Sequence, residues 1–168
     1  MVQGAQASGG WAERVERLAR LVPGLGRYQD REGLRETDKK VRNHLADQFA
    51  NVGGILEAAQ AKQAESGQLD RLPALDRLSR SLATLTDRVR YASYGFAGVF
   101  DSGKIREAEL SRLHGFDLSL MDQVPQLRER LTAVADPAAQ EAAFDAARAA
   151  LDDFGRRLTE RERVARGL

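Results

Sequence analysis

The chain has 168 residues, 42% of them hydrophobic; alanine and leucine fill 47 positions, whereas isoleucine, valine and threonine fill 17. Small and straight-chain residues favour helix and β-branched ones favour strand, which argues against all-β and doubly wound α/β domains. Charged residues make up 30% and the net charge is +1, so the chain is neither a disordered polyanion nor a strongly basic nucleic-acid arm.

There is no cysteine. That removes disulfides, thiolate nucleophiles and thiolate metal ligands, and it fits a cytoplasmic location. Residues 1–12 carry no charged side chain and lack both the basic start and the bulky apolar run of a secretory signal. Residues 1–10 read as a flexible tail before a single domain over 11–168. No charge-free stretch exceeds 12 residues. A bilayer span needs about 20, so integral membrane insertion is excluded. Arginine outnumbers lysine 22 to 4. The codon bias of a GC-rich bacterial genome explains this more simply than bidentate anion recognition does.

Trp11, Val15, Leu18 and Leu21 recur every three or four residues between charged ones. This predicts a short amphipathic helix of about three turns. Val22-Pro23-Gly24-Leu25-Gly26 ends it, because proline and glycine do not continue a helix cheaply. A second pattern over 30–66 carries Leu34, Val41, Leu45, Phe49, Val52, Leu56 and Ala59. Gly53-Gly54 lies within it. Two mid-helix glycines cost about 2 kcal/mol against alanines, so a kink or very close packing is expected there. Gly67 is placed to cap the helix end.

A third helix is expected from Asp70 as N-cap, with Pro73 in its first turn, where a missing N–H does no harm. Leu75, Leu78, Leu82, Leu85, Val89 and Ala92 form its stripe. A fourth pattern over 105–134 holds Leu110, Leu113, Leu120, Val124, Leu127, Leu131 and Val134 in phase across Pro125, which predicts one kinked helix rather than two. The last helix is expected to start at Asp136-Pro137, with Phe144, Ala147, Leu151, Phe154 and Leu158 facing inward. Its alanine-rich first half is thin, and its arginine-rich end suits a helix C-terminus.

The expectation is all-α: an up-down-up-down four-helix bundle with coiled-coil-like seams and a short additional N-terminal amphipathic helix. Short connections make sequence neighbours antiparallel.

Little chemistry is left over. Gly98, Gly103 and Lys104 have the spacing of a phosphate-binding loop. However, Ile105 stands where a hydroxyl must reach magnesium, and a helix precedes the loop where a strand is required. His44 and His114 are each followed three residues on by an acid, Asp47 and Asp117, and on a helix such pairs share a face. The carboxylate-bridged di-iron pattern Glu-x-x-His is absent, since 41 is Val and 111 is Ser. Both histidines therefore read as surface or boundary residues, and no metal or cofactor is assigned.

Asp117 falls in the core-facing register of its helix, and Asp38 precedes Val41 in the same way. A buried carboxylate is costly unless paired. Arg88, Arg90, Tyr91 and Tyr94 are the candidate partners, and a structural contact that fixes helix register is the simplest role. A general acid or ligand role would need a second catalytic group, and none is evident. Residues 91–100 are uncharged and contain Tyr91, Tyr94, Phe96 and Phe100. They read as a cap over the core, or as a binding patch, since rigid aromatics make good anchors. Single-stranded nucleic acid is disfavoured by the near-neutral, evenly mixed charge. The helix bearing Trp11 has three arginines and two glutamates on its polar face. It is expected to pack on its own protein, with dimerisation or a membrane surface as alternatives.

These readings converge on a non-enzymatic helical bundle that binds another protein or itself. Its candidate residues are Trp11, Tyr91, Tyr94, Phe96, Phe100, His114 and Asp117. The alternatives are a bundle with an internal small-ligand or metal site around Asp117 and His114, and peripheral membrane attachment through the leading helix.

Overall fold

A computed structural model describes residues 11–25, 31–92 and 107–165, with side chains for 13–25, 36–92 and 112–165. The described residues form an all-α fold of five helices: α1 (Trp11–Leu21), α2 (Arg31–Glu65), α3 (Leu72–Tyr91), α4 (Glu107–Ala133) and α5 (Glu141–Ala165). No strand occurs among them. The tail at 1–10, the loop motif at 98–104, and Tyr94, Phe96 and Phe100 lie outside the described residues.

Each long helix exists because one seam of side chains is buried. On α2 the seam is Val41, Leu45, Phe49, Val52, Leu56, Ala59 and Gln63. On α3 it is Leu75, Leu78, Leu82, Leu85 and Val89. On α4 it is Leu113, Asp117, Leu120, Val124, Leu127 and Leu131, and on α5 it is Phe144, Ala147, Leu151, Phe154, Leu158, Arg161 and Ala165. Steps of three and four keep these positions on one face of a helix.

Helix ends follow local chemistry. The backbone of α2 closes in a Schellman motif: Gly67 N–H donates to Ala64 O at 3.2 Å and Gln68 N–H to Gln63 O at 2.9 Å. Gly67 takes φ +72°, a conformation that glycine adopts without strain. Two expected starts are corrected. Asp70 is not an N-cap; it sits in a single 3-10 turn, Leu69–Arg71, and no side chain caps α3. Asp136 accepts from Ala138 N–H at 2.8 Å, closing a local turn, and α5 begins only at Glu141. Proline at 137 therefore belongs to the turn, where its fixed φ is equally suited. Pro125 lies inside α4, which is one continuous helix. The glycine pair in α2 needs no close neighbour. A Cβ on Gly53 would come no nearer than 4.0 Å to Leu82 Cδ2, and one on Gly54 would meet nothing.

Packing joins α2 to α3, α3 to α5, α5 to α4 and α4 to α2, while α1 lies along α4. The four long helices thus close a ring in the order α2, α3, α5, α4. Sequence neighbours α2 and α3, and α4 and α5, run antiparallel across their short connections. The α2–α4 and α3–α5 contacts are between parallel helices, as shown by pairs at matching ends such as Arg88 with Glu162. Phe49 and Phe154 meet edge to face across the middle, with ring centroids 4.8 Å apart. At one end of the ring lie the starts of α2 and α4 and the ends of α3 and α5. At the other end, Arg71 donates to Asp136 O and Pro137 O at 3.0 and 2.6 Å and lies over the Phe144 ring.

Candidate functional site

Apart from Gln63 near the end of α2, the seams are apolar except at one end of the bundle. There Asp38 from α2, Asp117 from α4 and Arg161 from α5 occupy seam positions, 5%, 1% and 1% exposed. Arg161 Nε donates to Asp117 Oδ1, and a terminal nitrogen of the same guanidinium donates to Asp38 Oδ1 at 2.6 Å. Asp38 Oδ2 accepts from Arg42 Nε at 2.8 Å, one turn along α2. Arg42 in turn donates to Arg90 O at 3.0 Å and reaches Val89 O at 3.5 Å. Those are the last-turn carbonyls of α3, which lack intrahelical partners and carry the negative end of the helix dipole. One run of charge-assisted hydrogen bonds therefore ties all four long helices together.

Among the described residues, two carboxylates face two guanidinium groups. Burial works against the charge on Arg161, but the Asp117 and Asp38 carboxylates outweigh it and hold the guanidinium firmly protonated. The planar fork of arginine suits this task, because one side chain reaches carboxylates on two different helices.

His114 lies at the edge of the network and is buried, 3% exposed. This corrects the surface or boundary placement; only His44 is partly exposed. Its Nδ1 is 3.9 Å from Asp117 Oδ2, too long for a hydrogen bond. Among the described residues, neither ring nitrogen of His114 nor Asp117 Oδ2 has a hydrogen-bond partner. Burial pushes the His114 pKa below its ordinary 6.5, with Asp117 and Asp38 opposing that shift and Arg161 and Arg14 adding to it.

The remaining candidates are scattered. The partners expected for Asp117 are engaged elsewhere: Arg88 donates to Thr159 Oγ1 and Glu162 Oε2, and Arg90 to Asp47 Oδ1. Tyr91 is 70% exposed at the end of α3. The side chain of Trp11 is outside the described set, but the helix that carries it packs on α4. Leu18 and Val22 are buried there, and Arg17 pairs with Asp122 at 2.8 Å. Those apolar groups would have to leave α4 before facing a membrane.

Two residues of the network, Arg42 and Arg161, were not anticipated. The signal for Arg161 is plain in retrospect: the stripe Phe144, Ala147, Leu151, Phe154, Leu158 continues by one step of three to position 161. Arg42 has no comparable signal, since it follows Val41 and reaches inward from the flank of the seam.

As a metal site the donor set fits poorly. Among the described residues, no three His, Cys, Asp or Glu side chains converge, and the charge next to Asp117 is a guanidinium, which repels a cation. No helix among the described residues is long and apolar enough to cross a membrane. A groove of about 660 Å³ runs between α4 and α5, lined by Ser119, Gln123, Leu127, Ala150 and Arg157 among others, and it takes in no member of the buried network. Comparison of the chain with family models, with curated proteins and with solved structures finds no match.

Proposed function

We propose that the protein is a non-enzymatic helical scaffold that acts by contact with another protein chain, with the C-terminal end of α3 as the contact surface. One observation carries this reading: Tyr91, a large rigid aromatic, is 70% exposed and directly precedes a run without charge, residues 92–100. Tyrosine binds with low conformational loss and is enriched where interfaces concentrate their affinity. The buried charges support the same reading, because they are engaged with one another and with backbone carbonyls. A cytoplasmic setting rests on the cysteine-free composition.

Sedimentation velocity of the full chain over a wide concentration range tests the proposal, alongside cross-linking in cells of the native source. Self-association or a discrete cross-linked partner, weakened by Tyr91→Ser, is the expected result. A chain that stays monomeric, cross-links to nothing and turns over a small molecule would overturn it.

A second reading is favoured by the partnerless atoms of His114 and Asp117: a small polar ligand held inside the bundle end. Native mass spectrometry of the purified chain tests it. Excess mass that disappears in Asp117→Asn supports this reading, and the bare chain mass removes it.

A further inference from the structure

Among the described residues, the network at the bundle end sets two carboxylates against two guanidinium groups, with one titratable group at its margin. Asp38 and Asp117 are matched by Arg42 and Arg161. His114 makes no hydrogen bond among the described residues, so only the more distant Asp117 and Asp38 carboxylates favour its protonated form. Each element packed around it brings its own charges. Asp117 lies on α4 itself, Asp38 on α2, Arg161 on α5 and Arg14 on α1. From α3, Arg88 and Arg90 turn outward to Glu162 and Asp47. Arg14 comes close to this spot, its guanidinium being 3.4 Å from where a Cβ on Gly115 would stand.

We propose that this junction is an acid-sensitive lock, in which protonation of His114 loosens the end of the bundle where α1, α4 and α5 meet. The neutral imidazole is a passive buried ring. The imidazolium is a third cation facing two carboxylates, in a place from which water is excluded. It draws Asp117 Oδ2, 3.9 Å away, toward itself, and so pulls on the carboxylate whose other oxygen Arg161 holds. It also adds positive charge beneath Arg14, which comes from α1. Both effects weaken contacts that hold α1 and α5 against α4, whereas the apolar seams further along the bundle are untouched.

The sign follows from burial. The folded state keeps His114 neutral to lower pH than the unfolded chain does, since its pKa is pushed below 6.5. Stability is full above the unfolded value and is lost as pH falls through it. Only two histidines occur in the chain, and no other side-chain type ordinarily titrates between about pH 5 and pH 8 without cysteine.

The test is the unfolding free energy of the full chain between about pH 7.5 and pH 5, in buffers of matched ionic strength, for the natural chain, His114→Gln and His44→Gln. The expected result is a loss of stability with acidification that approaches a tenfold change in the unfolding constant per pH unit. His44→Gln should retain that dependence, and His114→Gln should lose most of it. Equal dependence in the natural chain and His114→Gln would overturn the proposal. Should His114→Gln not fold, an NMR titration of the His114 ring in the natural chain decides: a midpoint below the ordinary 6.5 supports the lock, and one at or above it overturns it. Amide exchange, corrected for intrinsic rates, reads the location. Acid-induced opening is expected first near residues 113–118 and 158–164, and uniform opening along all helices would contradict a local lock.

Discussion

Arg161 is the residue on which the bundle end most depends. It is 1% exposed and bonds to carboxylates on two other helices. Replacing it with methionine keeps most of the volume but strands Asp117 and leaves Asp38 with Arg42 alone. Breaking a buried pair by removing one partner costs about 3–5 kcal/mol, so urea unfolding of Arg161→Met should show a loss of that size. Asp117→Asn leaves Arg161 bonded to Asp38 and should cost less, about 1–3 kcal/mol. Combining Arg161→Met with Asp117→Asn should cost less than the sum of the two, because the second change relieves the first. Strict additivity would show that the two side chains do not act as a unit. By contrast, the half-exposed pair Arg17–Asp122 should contribute no more than about 1 kcal/mol.

At the scale of the element, α2 carries a defect with no packing reason. Gly54 is exposed and has nothing within 4 Å of its missing Cβ. Alanine there should raise stability by about 1 kcal/mol, the ordinary helix-propensity difference, as read from the urea midpoint. Gly53→Ala should behave alike, since Leu82 at 4.0 Å is in ordinary contact range. Destabilisation by either would mean that a partner approaches this stretch. The helices themselves were legible in the sequence. The leucine seams define their extent because burial of one face decides which segments are helical, and Asp38 and Asp117 stand out as acids in apolar register. Helix starts were less legible: Asp70 and Asp136 are good caps by residue type, but each is equally good in a turn, and chain geometry at the neighbouring helix chose the turn. His114 was misplaced because position 114 flanks Leu113, and whether a flank is buried depends on which helices lie beside it. Here Arg14 of α1, Asp38 of α2 and Arg161 of α5 all lie close enough to act on it, which no single-helix pattern can state.

For the whole molecule, the ring order α2, α3, α5, α4 is the feature that periodicity leaves open. Every seam would look the same if α3 and α4 were neighbours, since the apolar positions specify that a face is buried but not by which helix. Among the pairings at the ends, Arg88 with Glu162 fits this order because it bridges α3 and α5; the bonds of Arg161 to Asp38 and Asp117 would be met in either order. The leading helix is the other open question at this scale, because an amphipathic segment of 11 residues is too short to hold its shape alone. Leu18 is fully buried, and Val22 is nearly so, while Leu21 is 41% exposed. If α1 folds as part of the same cooperative unit, Leu18→Ala removes core volume from that unit. It should then lower global stability by about 2–5 kcal/mol in a single transition. Leu21→Ala, a surface change, should stay within about 0.5 kcal/mol of the natural chain. A small effect of Leu18→Ala, with amide exchange in α1 far faster than in α4, would show a helix that detaches by itself. In that case the apolar face of α1 becomes available to a partner, and the contact surface would have to be sought there as well as at Tyr91.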